Sequence, residues 1–257
     1  MNNYGMLQNR KERIRQWHKH PKHAEICRSL RKSAEGLLET GLKFLPQVIS
    51  IQNGLESAVA ATECAAAGSH NLHRGFYCPS PVYDLIVGNV HRGRLLKRIT
   101  KGSNITHRFS YSQAGMMILC ETVLNGHPIF TEYLIYKDDR VYGIMLDNSN
   151  ALSRVSSEVY HNGRITQYCF VQVVHLQDSS SIFDYYEEQY AYDDDGLCTC
   201  VWKSFNPGAE TFEEMLLEFQ REAGYLVSYT AKDRSIQDGE ENNNVVGTYY
   251  PRTRRKA

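Results

Sequence analysis

One strand–turn–strand pattern recurs through the second half of this chain, and it limits the possible folds more than any other feature. Its copies are Phe109-Ser-Tyr-Ser-Gln-Ala-Gly115-Met-Met-Ile and Glu132-Tyr-Leu-Ile-Tyr-Lys-Asp-Asp-Arg140-Val-Tyr-Gly-Ile, followed by Glu158-Val-Tyr-His-Asn-Gly163-Arg-Ile-Thr. Tyr190-Ala-Tyr-Asp-Asp-Asp-Gly196-Leu-Cys-Thr and Leu217-Glu-Phe-Gln-Arg-Glu-Ala-Gly224-Tyr-Leu-Val complete the set. In each, an apolar or aromatic run enters a polar turn rich in Gly, Asn or Asp, the residues that accept the positive φ of a tight hairpin. Asn162-Gly163 is the strongest of these hairpin signals. Consecutive hairpins lie side by side, so the pattern predicts an antiparallel meander of about ten strands. Fourteen of the 17 tyrosines follow residue 110, where they fit the half-buried surface of a pleated sheet.

Ahead of the hairpins the periodicity is helical. Ile14, Trp17 and His18, then Ile26, Leu30, Leu37 and Leu38, recur at spacings near three and four. Pro21 is placed to open a second helix. Gly41 and Pro46 punctuate the next stretch, and a further helix is expected over Leu55–Ala67, ended by Gly68. Gly68–Pro81 reads as a connecting loop. The segment 210–222 fits a helix by its apolar spacing (Phe212, Met215, Leu216, Phe219) and a strand by its hairpin texture, which is favoured for its second half. The expected fold is therefore α+β. Residues 1–75 form a helical N-terminal segment, 76–234 the meander, and 235–257 a polar, basic and mobile tail.

The motif Tyr190-Ala-Tyr192-Asp193-Asp-Asp-Gly196-Leu resembles the tyrosine–aspartate (YD) repeat of Rhs-type proteins, and Glu132–Ile144 matches it in part, with Arg140 at the turn glycine. The resemblance implies a β-hairpin per unit. In that family many units wind into a shell, whereas five turns are too few to enclose one.

Zero net charge conceals an asymmetry: residues 1–110 carry 17 basic and 7 acidic side chains, and the remainder 12 and 22. Such a separation draws in a charged partner or lets the halves attract each other. No run of 18 apolar residues exists, so no transmembrane helix is expected. The first thirty residues lack a secretory pattern, and seven scattered cysteines do not suggest a disulfide framework, so a reduced, cytoplasmic protein is expected.

Four groups of residues invite chemistry. His18, His20, His23 and Cys27 place His23 and Cys27 at i, i+4, a ligand geometry set among repelling cations. Cys64, His70, His73 and Cys78 have the ligand count of structural zinc but not its spacing. Cys198 and Cys200 share one strand face and are not a redox pair. Asp178, Asp184, Glu187, Glu188 and Asp193–Asp195 read as an acidic surface. There is no nucleophile elbow and no phosphate-binding glycine loop, so neither a cofactor nor a metal is expected and catalysis has no supporting motif.

The leading expectation is a non-catalytic binding protein, immunity-like, holding a basic protein partner on an acidic, tyrosine-rich face made of Tyr185, Tyr186, Glu187, Glu188, Tyr190, Tyr192, Asp193, Asp194 and Asp195. The second is nucleic-acid binding through Arg10, Lys11, Arg13, Arg15, Trp17, Lys19, Lys22, Arg28, Arg31 and Lys32. The third is a metal-dependent hydrolase or nuclease.

Overall fold

A computed structural model describes residues 22–86, 90–176, 179–222, 225–234, 236–237, 240–241, 244–249 and 255–256. One long helix, α1 (His23–Ala58), precedes the strands. It runs unbroken through Pro46, where the sequence suggested an interruption. The carbonyl that Pro46 cannot satisfy is that of Leu42, on an exposed turn of the helix.

The helix expected over Leu55–Ala67 is corrected. α1 stops at Ala58, and Ala61–Ala66 is strand β1, paired antiparallel with Ile105–Tyr111 (β3). Alanine has high helix propensity, but six residues cannot hold a helix against a ladder of partners. Between them lie a 3₁₀ turn (Gly75–Tyr77), the short helix α2 (Tyr83–Ile86) and β2 (Arg94–Leu95). Then come β4 (Met117–Leu124), β5 (His127–Lys137), β6 (Arg140–Asp147), β7 (Leu152–His161), β8 (Arg164–Leu176), β9 (Ser179–Asp193), β10 (Gly196–Asn206), β11 (Thr211–Glu222) and β12 (Tyr225–Asp233). The meander is thus present, with twelve strands among the described residues rather than about ten; β1 arises from a segment read as helix, and β2 from within the expected meander. Residues 211–222 are strand throughout.

Contacts divide the chain into two units. One is Leu37–Ser181; the other joins the described residues of Met1–Gly36 and Ile182–Ala257. In the first, β1 and β3 to β8 pair in sequence order, β2 pairs with β1, and every pair is antiparallel. Its core holds Phe109, Ile144, Val155 and Tyr168, all fully buried. α1 enters this core through Gly41, where an added Cβ would sit 2.3 Å from a Val155 methyl. Phe44 lies 5.0 Å from the Tyr142 ring. The Asn-Gly turn joining β7 and β8 has positive φ at Asn162 and Gly163 (51° and 75°), as a two-residue hairpin requires.

In the second unit, β9 to β12 pair in order, and Asn244–Tyr249 (β15) adds to β12. Two short pairs, Ile236–Gln237 (β13) with Glu240–Glu241 (β14), and Arg255–Lys256 (β16) with β12, also fall in the expected tail. The start of α1 packs here through Cys27, Leu30 and Ala34. Arg31 bonds the Pro207 carbonyl at 3.0 Å and the Glu210 carboxylate at 3.2 Å.

Candidate binding site

The first unit contains a charge cluster that the sequence did not announce. Residues 68–81, read as a connector, carry His73 and Arg74 into the interior, where they are 2% and 4% exposed. Arg74 reaches this position in a left-handed conformation (φ 53°). Gly75 follows at φ 48°, and a Cβ there would stand 2.4 Å from His107 Nδ1. Strand β5 supplies Glu132, and β7 supplies Ser156 and Glu158, all buried.

Arg74 donates from Nε and Nη2 to the two Glu132 oxygens, at 2.7 and 3.0 Å, in the paired geometry that suits a guanidinium. Its Nη1 donates to Glu158 Oε1 at 2.5 Å. Tyr160 donates to the other Glu158 oxygen at 2.7 Å, and Ser156 donates to Glu132 at 3.1 Å. His73 Nε2 lies 2.8 Å from Glu132 Oε1, and Nδ1 meets the Tyr168 hydroxyl. A carboxylate only accepts, so Nε2 carries the proton and Tyr168 donates to Nδ1.

These bonds determine the charge states. Burial would raise the Glu132 carboxyl, but Arg74 and His73 overcome it and hold it well below its ordinary value. Burial pushes His73 down to about 4, against the pull of Glu132. Burial also pushes the Tyr168 hydroxyl well up, consistent with its role as donor. Two buried carboxyl groups therefore share one guanidinium beside a neutral imidazole, and the Arg154 guanidinium also acts on that imidazole. Arg154, on β7, donates to Gln172 at 2.9 Å and lies over the Phe170 ring.

Arg74 and Glu158 also line a cleft of about 420 Å³. Tyr77, Met117, Tyr136 and Tyr160 contribute apolar and aromatic surface, and the β5–β6 turn adds Asp138, Asp139 and Arg140. Tyr136 is fixed by donating to the Met117 carbonyl at 2.8 Å. Tyr77 is fixed by Glu63, which also accepts from Tyr111, each at 2.8 Å. Three tyrosines, and three carboxyl groups against the two guanidiniums of Arg74 and Arg140, suit a positively charged guest. No serine, cysteine or histidine lines the cleft, and both nitrogens of the nearby His73 are engaged.

The sequence-predicted residues lie elsewhere. In the second unit Tyr185, Tyr186, Glu187, Glu188 and Tyr190 are buried on β9. Tyr185 donates to Glu187 at 2.9 Å, and both Tyr186 and Tyr190 donate to Glu188. Tyr192 is half-buried, while Asp193, Asp194 and Asp195 are exposed. Asp193 accepts from Arg221 at 3.0 Å and from the Asp195 amide at 3.0 Å, as a turn residue does. Arg10, Lys11, Arg13, Arg15, Trp17 and Lys19 lie outside the described residues, as do His18, His20 and Asp178. Lys22, just ahead of α1, and Arg28 and Lys32 on it are exposed, and Arg31 is half-buried.

Cys27 Sγ stands 3.6 Å from His23 Nε2, as the i, i+4 spacing anticipates. Of the Cys64, His70, His73 and Cys78 set, His73 belongs to the charge cluster. Among the described residues no three metal-ligating side chains converge. Asp184 and Cys198 are half-buried, Cys200 is buried, and all seven cysteines are free thiols. Glu132 did carry a signal, as the lone carboxylate of the largely apolar strand β5, where burial without a partner would be prohibitive; Glu158, among the serines of β7, did not. Compared with known proteins, the chain matches no family model and no curated relative.

Proposed function

We propose that this chain is a non-catalytic binding protein that accepts a basic side chain of a protein partner in the cleft of the Leu37–Ser181 unit. One observation carries the reading: the buried Arg74 is shared between two carboxylates, Glu132 and Glu158, and Glu158 also lines the cleft. A carboxylate that shares its cation gains from a second one, so a lysine or arginine entering beside Glu158 would complete its pairing. Asp138 and Asp139 at the rim speed encounter with a cationic segment, and the tyrosines add cation–π contact. An immunity-like protein that neutralises a basic toxin is one protein of this kind.

The test is a titration with arginine-rich, lysine-rich and glutamate-rich peptides, monitored by calorimetry. The basic peptides should bind, and Asp138→Lys with Asp139→Lys should weaken them at least tenfold, by about 1.4 kcal/mol or more. Both positions are exposed, so the fold should survive. Equal affinity for this variant, or preference for the acidic peptide, would remove the cleft from the reading. A pull-down from the native host, run with and without nuclease, should then retain a basic protein under both conditions.

A further inference from the structure

The stretch from Leu85 to Cys120 contains no Asp or Glu, yet it holds Arg92, Arg94, Lys97, Arg98, Lys101 and Arg108. Two of these cations are matched from outside the stretch. Arg92 meets Asp84 at 2.9 Å, and Arg108 meets Glu121 at 2.9 Å. Arg94, Lys97, Arg98 and Lys101 are exposed, and none has an ion pair among the described residues. Among them stands Ile99, an aliphatic side chain 60% exposed to water.

The loop is ordered at both ends. Arg94 and Leu95 pair with β1, and the Leu96 amide donates to the Cys64 carbonyl at 2.8 Å. Past Ile99, the Ser103 amide donates to the Thr100 carbonyl at 2.9 Å, and the Thr100 amide donates to Ser103 Oγ at 3.0 Å. Gly102 closes that turn at φ 90°, a conformation that suits glycine. The charges and the isoleucine are thus presented on a built turn.

We propose that the Arg94–Lys101 loop docks this protein on an anionic lipid surface, with Ile99 entering the headgroup boundary and the four cations meeting lipid phosphates and carboxylates. The isoleucine decides between this surface and a nucleic acid. Phosphate binding alone leaves an exposed aliphatic group idle, whereas an interface rewards the pairing of apolar tip and basic flank. The segment from Arg94 to Asn104 also has no aromatic side chain on which a base would stack. This surface is separate from the cleft, and its test does not depend on the proposed function.

The test is co-sedimentation of the full chain with phosphatidylcholine vesicles, with and without phosphatidylserine. Binding should require phosphatidylserine and weaken as salt is added. Each neutralised cation should lower partitioning about fivefold, so Lys97→Gln with Arg98→Gln should lower it about 25-fold. Ile99→Ser should lower it at every ionic strength. All three positions are exposed, and unchanged circular dichroism confirms the fold of each variant. Absence of vesicle binding overturns the proposal. So does binding that survives the double variant, which would assign it to other cations of the chain. Vesicle binding indifferent to Ile99→Ser and displaced by a short DNA duplex would make the loop a phosphate binder, which also overturns it.

Discussion

Lowering the pH from 7 to 5 should destabilise the Leu37–Ser181 unit by about 4 kcal/mol. The perturbation acts on two buried histidines. His73 and His107 are both pushed by burial from an ordinary value of 6.5 down to about 4. In the unfolded chain each takes up a proton near its ordinary value, and in the folded chain each resists until about 4. Between those limits the unfolded state binds more protons, so stability falls as the pH falls. From the ratio of proton-binding terms, each histidine contributes about 1.8 kcal/mol between pH 7 and 5. Glu132 does not enter this window. Its depressed carboxyl stabilises the fold above the ordinary carboxylate range, and that stabilisation is lost only as the pH drops below it. Trp202 falls outside this unit and Trp17 outside the described residues, so tryptophan fluorescence is not the readout of choice. Hydrogen exchange of the β3–β8 amides, corrected for the intrinsic pH dependence of exchange, reads it directly. His107→Leu should halve the slope, and it also removes a buried Nε2 without a hydrogen-bond partner. A stability constant to within about 1 kcal/mol from pH 7 to 5 would refute the reasoning, since both rings would then take up protons in the folded state.

Arg74→Met should destabilise the same unit by about 3–5 kcal/mol, because it leaves Glu132 and Glu158 buried without their cation; a urea midpoint followed by far-ultraviolet circular dichroism measures it. Gly143→Ala should be nearly as damaging, by about 3 kcal/mol, since the new Cβ would fall 1.9 Å from Glu132 Oε1 and 2.4 Å from Ser156 Oγ. A loss under about 1 kcal/mol would show that the cluster relaxes around the methyl group. Thiol labelling under native conditions should modify Cys169 and Cys198 first, because they are half-buried while the other five are buried. Burial also raises the Cys120 and Cys200 thiols well above their ordinary value, so these should label slowest; fast labelling of either would contradict the packing.

The hairpins were legible because their signals are local. Asn162-Gly163 dictates a turn through φ alone, and the tyrosine and β-branched texture on either side needs no knowledge of what lies across the sheet. Ala61–Ala66 was misread for the opposite reason. Its residues favour a helix, and only pairing with Ile105–Tyr111, some forty residues later, makes it a strand. Pro46 likewise reads as a break, yet helix packing on either side carries α1 through it. The acidic tyrosine face was inferred from composition along β9, but composition does not state which side chains point inward. There the tyrosine hydroxyls turn to Glu187 and Glu188 within the strand itself.

What the sequence alone determined is the architecture: a helical start, an antiparallel meander, and the opposed charges of its two halves. Turn chemistry and periodicity are short-range properties, so they survive reading one residue at a time. Tertiary structure alone decided the site. His73 and Arg74 on a loop, Glu132 on β5 and Glu158 on β7 lie far apart in the chain, Arg74 and Glu158 by 84 residues, and nothing local marks them as partners. Their meeting depends on strand register and on Gly143 leaving room between them. The physical reason is desolvation: a lone carboxylate in an apolar strand must find a cation to be buried at all, and only the folded chain shows which cation reaches it.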